Sequence, residues 1–228
     1  MTKDSAANVA IKVVAIDGPS GAGKGTLSRL VAQRLGYHLL DSGALYRLTA
    51  LAVLETGVDV EDPVAAAKVA RNLNVNFQPD QEDTRILLDG RDVSGDIRTE
   101  RVSMAASQVA AYPPVREALL QRQRDFRQMP GLVADGRDMG TTVFPDANVK
   151  IFLTASPEAR AERRYRQLVE KGETVDMAAL VADIRQRDKQ DSERPVSPLK
   201  PAPDAIYLDS TDLSIDEVLA QILKHTES

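Results

Sequence analysis

Cysteine and tryptophan are absent from the 228-residue chain, and aromatic residues make up 4% of it. The missing cysteine excludes a disulfide scaffold, a cysteine-ligated zinc or iron–sulfur site and a thiol nucleophile. Long apolar runs are missing too, and none approaches the ~20 residues of a membrane-spanning helix. Met1–Lys12 lacks the apolar block of a signal peptide and reads as a polar tail. No membrane contact and a soluble, cytoplasmic protein are therefore expected. A surplus of positive charge is also lacking: 29 basic residues against 34 acidic give −5, which argues against an electrostatic grip on nucleic acid.

What the chain does have is length for one large domain or two small ones, and arginine. Twenty of its 29 basic residues are Arg and nine are Lys. Guanidinium is a planar, permanently charged fork that suits phosphate and carboxylate ligands. Taken alone, an arginine-favouring codon composition is the simpler explanation.

Short apolar strands alternate with amphipathic helices, the pattern of a parallel α/β sheet. Val13–Asp17, Tyr37–Asp41, Leu132–Asp135, Val149–Thr154 and Ala205–Leu208 read as its strands. Leu27, Leu30, Val31 and Leu35 mark one helix, closed by Gly36, and Ala44–Thr56 a second, ending at Gly57. Ser214 and Glu217 form a capping box at the start of the last helix. Two segments break the alternation. In the first, about residues 58–98, Asp62-Pro63 opens a short helix. Val75/Phe77 and Ile86/Leu88 then alternate as strands, with Asp89-Gly90 as a hairpin signal, which suggests a small antiparallel insert. The second, about residues 156–172, is an arginine-dense helix with Ser156 as N-cap and Pro157 in its first turn. The economical reading is a single domain over residues 13–226 with these two additions, behind a tail of residues 1–12.

The strongest chemical signal is Gly18, Pro19, Ser20, Gly21, Ala22, Gly23, Lys24, Gly25 and Thr26, set between a strand and a helix. Glycines let backbone N–H groups curl around phosphate oxygens, and the helix N-terminus adds its positive end. Lys24 reaches the β and γ phosphates of ATP, and the hydroxyl of Thr26 is placed to touch Mg²⁺. Gly25 occupies the position after the lysine where P-loops usually carry Ser or Thr. That Gly-Lys-Gly-Thr form resembles nucleoside-monophosphate kinases. A GTPase would need an Asn-Lys-x-Asp guanine reader, and no Asn-Lys pair occurs in the chain.

Phosphoryl transfer onto a nucleotide phosphate needs no base, because the acceptor oxygen is already anionic. Convergent arginines and Mg²⁺ instead cancel repulsion between two polyanions. Candidates follow the strands. Asp41-Ser42-Gly-Ala-Leu-Tyr46-Arg47 follows the second strand and is expected beside the phosphate loop. In Asp135-Gly-Arg137-Asp138-Met-Gly-Thr, an apolar strand ends on Asp135, which is placed to support Mg²⁺ or its waters. In the helix after Thr174, Met177, Leu180, Val181 and Ile184 form a core-facing stripe, and the same register continues through Arg187, Asp188, Asp191 and Arg194. These either line a cavity or include a simple Arg187–Asp191 pair on a helix that outruns the core. Arg160, Arg163, Arg164 and Gln167 share one face of the arginine-dense helix. They read either as a solvated face or as a mobile lid that carries arginines over the ATP phosphates.

With these motifs in hand the chain resembles the bacterial cytidylate (CMP) kinases from about Val13 to the last helix. Val93-Ser-Gly-Asp-Ile-Arg-Thr99 and Ala106-Ser-Gln-Val-Ala-Ala111 join the phosphate loop, the Asp41 and Asp135 segments and Arg187-Asp-Lys-Gln-Asp191 in carrying the likeness. The resemblance implies a P-loop kinase core of parallel sheet and flanking helices, an enlarged monophosphate-binding insert and a short helical lid. It implies transfer of the γ-phosphoryl group of ATP to CMP or dCMP, with Mg²⁺, and a monomer is expected. Lys24, Arg137, Arg163 and Arg164 would be catalytic. Ser107, Arg116 and Asp138 would read the cytosine edge, supported by Arg194. Arg47 and Arg137 would hold the acceptor phosphate with Ser42 and Tyr46 nearby, and Arg187 and Asp191 would meet the sugar hydroxyls. Ser107 and Arg116 enter through the likeness alone. A UMP- or AMP-preferring kinase, and a P-loop NTPase switch, are the competing readings.

Overall fold

The computed structural model describes residues 11–79, 84–170 and 172–226. Its strands are β1 (Lys12–Asp17), β2 (His38–Asp41), β3 (Val75–Pro79), β4 (Thr84–Leu88), β5 (Arg91–Asp92), β6 (Gly131–Gly136), β7 (Val149–Thr154) and β8 (Ile206–Asp209). Its helices are α1 (Lys24–Leu35), α2 (Ser42–Thr56), α3 (Pro63–Arg71), α4 (Glu100–Val109), α5 (Pro113–Arg124), α6 (Pro157–Glu170), α7 (Met177–Glu193) and α8 (Ile215–Thr226). Five strands form a parallel sheet in the order β2-β6-β1-β7-β8, and β3-β4-β5 form a separate antiparallel sheet.

The period-two geometry of a strand explains how one apolar run serves two cores. Val13 and Ala15 of β1 join Leu132 and Ala134 of β6 on one face, against Leu45 and Leu48 of α2. Val14, Ile16 and Val133 face the other way, against Leu27 and Val31 of α1 and Val218 and Ile222 of α8. Both faces are covered, so these central strands read as continuous rather than alternating apolar runs. Ile86, Leu88, Val93 and Ile97 of the antiparallel segment belong to the same apolar cluster as Val13 and Leu132. In that segment Val75 pairs with Leu88 and Phe77 with Ile86.

The helix signals work through their hydrogen bonds. Asp62 accepts from the amides of Val64 and Ala65 at 2.9 and 3.0 Å. Ser156 caps α6 by accepting from Ala159 N at 3.1 Å. Glu217 accepts from Ser214 N at 2.8 Å and returns its own amide to Ser214 Oγ at 3.3 Å.

Several expectations are corrected. Lys12 is not tail: it begins β1, opposite Gly131 of β6. Residues 1–10 of the expected tail lie outside the described residues. Helix α2 starts at Ser42 rather than Ala44, because Asp41 is its cap and accepts from Ala44 N at 2.9 Å. The Met177, Leu180, Val181 and Ile184 stripe is half-buried and joins neither apolar cluster. Its periodicity is real, but α7 packs on α6, and a single neighbouring helix covers only part of a stripe.

Candidate active site

Three adjacent strands end on carboxylates at one edge of the sheet: Asp41 on β2, Asp135 near the end of β6 and Asp17 on β1. Asp41 is opposite Asp135 in register, and Asp17 is opposite Gly136. The glycine-rich loop leaves β1 at this edge. A Cβ on Gly18 would sit 1.9 Å from the carbonyl oxygen of Leu153, so the chain passes β7 there only without a side chain. Gly21 and Gly23 take left-handed φ values of 78° and 93°. Gly23 precedes α1 without capping it by a side chain, which leaves the first-turn amides to an anion.

Lys24 is buried behind the loop, and its Nζ donates to the carbonyl of Pro19 at 2.8 Å. Burial, and then the charge of Arg137, lower its pKa to about 8, against the opposing pull of Asp135, Asp191 and Asp17. Burial raises Asp135 to about 6. The carboxylate of Asp135 lies against the first turn of α1, 3.7 Å from where a Cβ on Gly25 would be. Thr26 is in that same turn and is exposed.

The arginines expected on the acceptor side are paired with protein groups. Arg47 donates to Asp41 at 2.7 Å. Its fold-back needs Gly43, where a Cβ would stand 2.9 Å from Arg47 Nη1. Arg116 is buried, donates to the carbonyl of Ala110 at 3.0 Å, is ion-paired with Asp138, and lies over the ring of Tyr46 at 5.5 Å. Arg137 donates to Asp191 at 2.7 Å, and Arg194 stands 3.9 Å from the same carboxylate. Burial works against ionisation of Asp191, but Arg137 and Arg194 outweigh it and hold the carboxyl below its ordinary range. Arg47 Nε and Arg194 Nη2 are buried without a hydrogen-bond partner among the described residues, so both have a donor to spare for a ligand oxygen. Ser42 is buried and donates to Gln123 at 2.7 Å.

An Arg187–Asp191 pair does not form. Arg187 is ion-paired with Glu100 on α4, while the half-buried Arg137 takes Asp191. Between α4 and α7 lies a cleft of about 770 Å³ lined by Glu100, Met104 and Ser107 on one side and Arg187, Asp191 and Arg194 on the other. Ser107 is exposed there, its Oγ donating to the carbonyl of Ser103 at 3.2 Å.

The arginine-dense helix does not present one uniform set of arginines. Arg160 is 2% exposed and fully engaged by protein groups, so it is neither part of a solvated face nor free to swing. Arg163 donates to the carbonyl and, at 3.3 Å, to the hydroxyl of Ser210. Half-buried Arg164 makes no hydrogen bond or ion pair among the described residues, and Gln167 is exposed.

Two participants were not foreseen. Asp17 accepts from the amides of Met139 and Gly140, each at 2.8 Å, and burial raises its pKa to about 6. It thereby fixes the wide π-type turn over Met139–Val143 that follows Arg137 and Asp138. The signal existed: an apolar strand ending in Asp singles out Asp17 as much as Asp135. Glu100 had no signal, because its partner lies 87 positions away in the chain.

A glycine-rich phosphate loop on a parallel sheet, a buried lysine behind it and a facing cleft rich in arginine define a P-loop kinase. The chain belongs to the cytidylate kinase family, whose model, described as "Cytidylate kinase", matches residues 14–228. Similar curated proteins carry that name. One from Pseudomonas paraeruginosa (strain DSM 24068 / PA7) is 60% identical over 222 residues, covering 96% of this chain and 97% of its own. One from Aeromonas salmonicida (strain A449) is 59% identical over 215 residues, 94% of each chain. One from Pasteurella multocida (strain Pm70) is 56% identical over 215 residues, 94% of this chain and 95% of its own. Among solved structures, a gluconokinase from Sinorhizobium meliloti 1021 covers 96% of this chain and 93% of its own at 15% identity and a TM-score of 0.46, too loose a likeness to carry an argument.

Proposed function

We propose that this protein transfers the γ-phosphoryl group of ATP to CMP or dCMP, giving ADP and CDP or dCDP. Family membership supports the reaction, and one structural observation supports its placement. The charges of Arg137, Asp135 and Asp191 lie close enough to Lys24 to shift its ionisation, which supports placing the phosphate loop next to the acceptor-side residues.

The reaction is limited by bringing two polyanions together. At an effective dielectric near 20, each pair of unit charges ~4 Å apart repels by roughly 4 kcal/mol. In this reading the loop Gly18–Thr26 holds the ATP phosphates, and Lys24 neutralises the group in flight. Arg47 and Arg137 hold the acceptor phosphate, with Ser42 and Tyr46 beside them. Ser107, Arg116 and Asp138 read the cytosine edge, supported by Arg194, and Arg187 and Asp191 meet the sugar. Arg163 and Arg164 come from the lid, residues 156–172, and residues 58–98 form the monophosphate-binding insert. Asp135 and Thr26 supply oxygen donors that suit Mg²⁺, an ion that takes few protein ligands and otherwise keeps phosphate oxygens and water. When bound it adds positive charge at the transferring phosphate. In this reading the protein works as a monomer, with all of these residues supplied by one copy of the chain.

A coupled assay with CMP, dCMP, UMP and AMP tests this. CMP and dCMP should be the best acceptors, with almost no ATP turnover when acceptor is withheld. AMP as the best acceptor would overturn the base-site assignment, and rapid acceptor-free hydrolysis would favour an NTPase switch.

A further inference from the structure

Arg160 was grouped by helical spacing with the lid arginines, yet it is among the most enclosed charges in the molecule, at 2% exposure. Its Nε donates to the carbonyl of Ala155, just beyond β7, at 2.9 Å. Its Nη1 donates to the carbonyl of Ser20, in the phosphate loop, at 2.9 Å. Nη1 also reaches Asp188 Oδ1 at 2.9 Å, and Nη2 takes the other oxygen of that carboxylate. A Cβ on Gly21 would lie 3.4 Å from Arg160 Cβ, so the loop is packed on the arginine stem as well. Asp188 immediately follows Arg187 on α7 and precedes Asp191 by one turn. Three parts of the molecule therefore share one guanidinium: the loop assigned to ATP, the root of the lid, and the helix that carries the acceptor-side residues.

We infer that Arg160 is a positioning residue that couples the ATP loop to the acceptor cleft, rather than a lid arginine that touches phosphate. A peptide's C=O and N–H point in opposite directions. Holding the Ser20 carbonyl toward the guanidinium thus aims the Gly21 N–H away from it, and an amide of that loop is pre-oriented. The bidentate grip on Asp188 passes the same constraint to Arg187 and Asp191. Lysine cannot substitute, because an ammonium is a point donor without the planar fork that serves two carbonyls and a carboxylate together.

The inference rests on the assignment of ATP to the loop and CMP to the α4–α7 cleft. It is tested by calorimetric binding of a non-hydrolysable ATP analogue and of CMP, each alone and in the presence of the other, for wild type, Arg160→Lys and Asp188→Asn. Wild type should show mutual tightening on the order of tenfold, within the usual range for coupled sites. Arg160→Lys should weaken the ATP analogue roughly tenfold, the loss of a charge-assisted hydrogen bond to the loop, and abolish the mutual tightening. Asp188→Asn leaves the two carbonyl contacts in place. It should keep the affinity for the ATP analogue near wild type while still abolishing the tightening, a separation that general loosening of the fold would not produce. Should Arg160→Lys fail to fold, the isosteric change at the partly exposed Asp188 decides by itself. Mutual tightening retained in Asp188→Asn, or absent from wild type, overturns the inference. Failure of wild type to bind CMP would instead sink the kinase reading on which it rests.

Discussion

In the proposed reading, the two halves of the site solve the same problem, holding phosphate, by different means. The donor half is nine consecutive residues that work through backbone amides, left-handed glycines and one buried lysine. The acceptor half is assembled from side chains on β2, α2, α4, α5, α7 and the turn after β6. Its arginines are already spoken for: Arg47 by Asp41, Arg116 by Asp138, Arg137 by Asp191 and Arg187 by Glu100. The difference shows how a protein keeps a concentrated set of cations folded without ligand. Backbone dipoles tolerate an empty site, whereas converging guanidinium groups need internal anions. If CMP binds the acceptor half as proposed, part of its binding is an exchange of these partners, and the carboxylates lower its affinity by what they give up.

Substitutions can break this contrast. Lys24→Ala removes the loop charge that the proposed mechanism places at the transferred group. It should lower kcat by roughly 10³ while leaving CMP affinity and thermal stability near wild type; retained turnover would end the assignment. Arg137→Met should produce the mirror image. We expect kcat/KM for CMP to fall on the order of 10² with ATP-analogue affinity little changed, measured by steady-state kinetics and calorimetry. Equal losses toward both nucleotides would erase the distinction between the halves.

Asp17 sharpens the comparison: its carboxylate, at the end of the strand that leads into the phosphate loop, holds two backbone amides of the turn after β6. Its folded pKa of about 6 lies above the ordinary carboxyl value because burial disfavours the charge. The sign follows from linkage: the stability this group contributes is fully present below its unfolded pKa, near 4, and is lost as pH rises through about 6. Chemical denaturation of wild type and Asp17→Asn between pH 4 and 7.5 should show wild type losing about 3 kcal/mol relative to the variant across that window, with little further change above it. A constant difference would mean that Asp17 does not titrate there. The smallest effect belongs to Glu100. Its pair with Arg187 is exposed enough to be screened, so Glu100→Gln should tighten CMP by about twofold at low salt and less at high salt. Arg187→Met should move affinity the other way. Weaker CMP binding in Glu100→Gln would show that the pair supports the site rather than competes with its ligand.

The donor half was legible in the sequence because its chemistry is local. Gly18, Gly21 and Gly23 are needed where the backbone turns, and strand, loop and helix follow one another without a break. The acceptor half was legible only as candidates. Helical spacing placed Arg187, Asp188, Asp191 and Arg194 on one face; Arg187, Asp191 and Arg194 do line one cleft, but Asp188 turns to Arg160 of α6. It offered an Arg187–Asp191 pair because neighbours on a helix are the only partners a local rule can see. It also grouped Arg160 with Arg163 and Arg164, since spacing registers a shared face but not what that face meets. Ser107 and Arg116 carried no local mark, and family likeness alone singled them out.

By itself the sequence determined the class of fold, the phosphate loop and the caps that start α3, α6 and α8, since each depends on residues within a few positions of one another. Only the tertiary structure decided which carboxylate neutralises which arginine, that β6 separates β2 from β1, that Asp17 bonds the turn after β6, and that the phosphate loop and α7 share Arg160. Those are matters of a low-dielectric interior, where a buried charge must find its counter-ion across the fold, and the distance that matters is through space rather than along the chain.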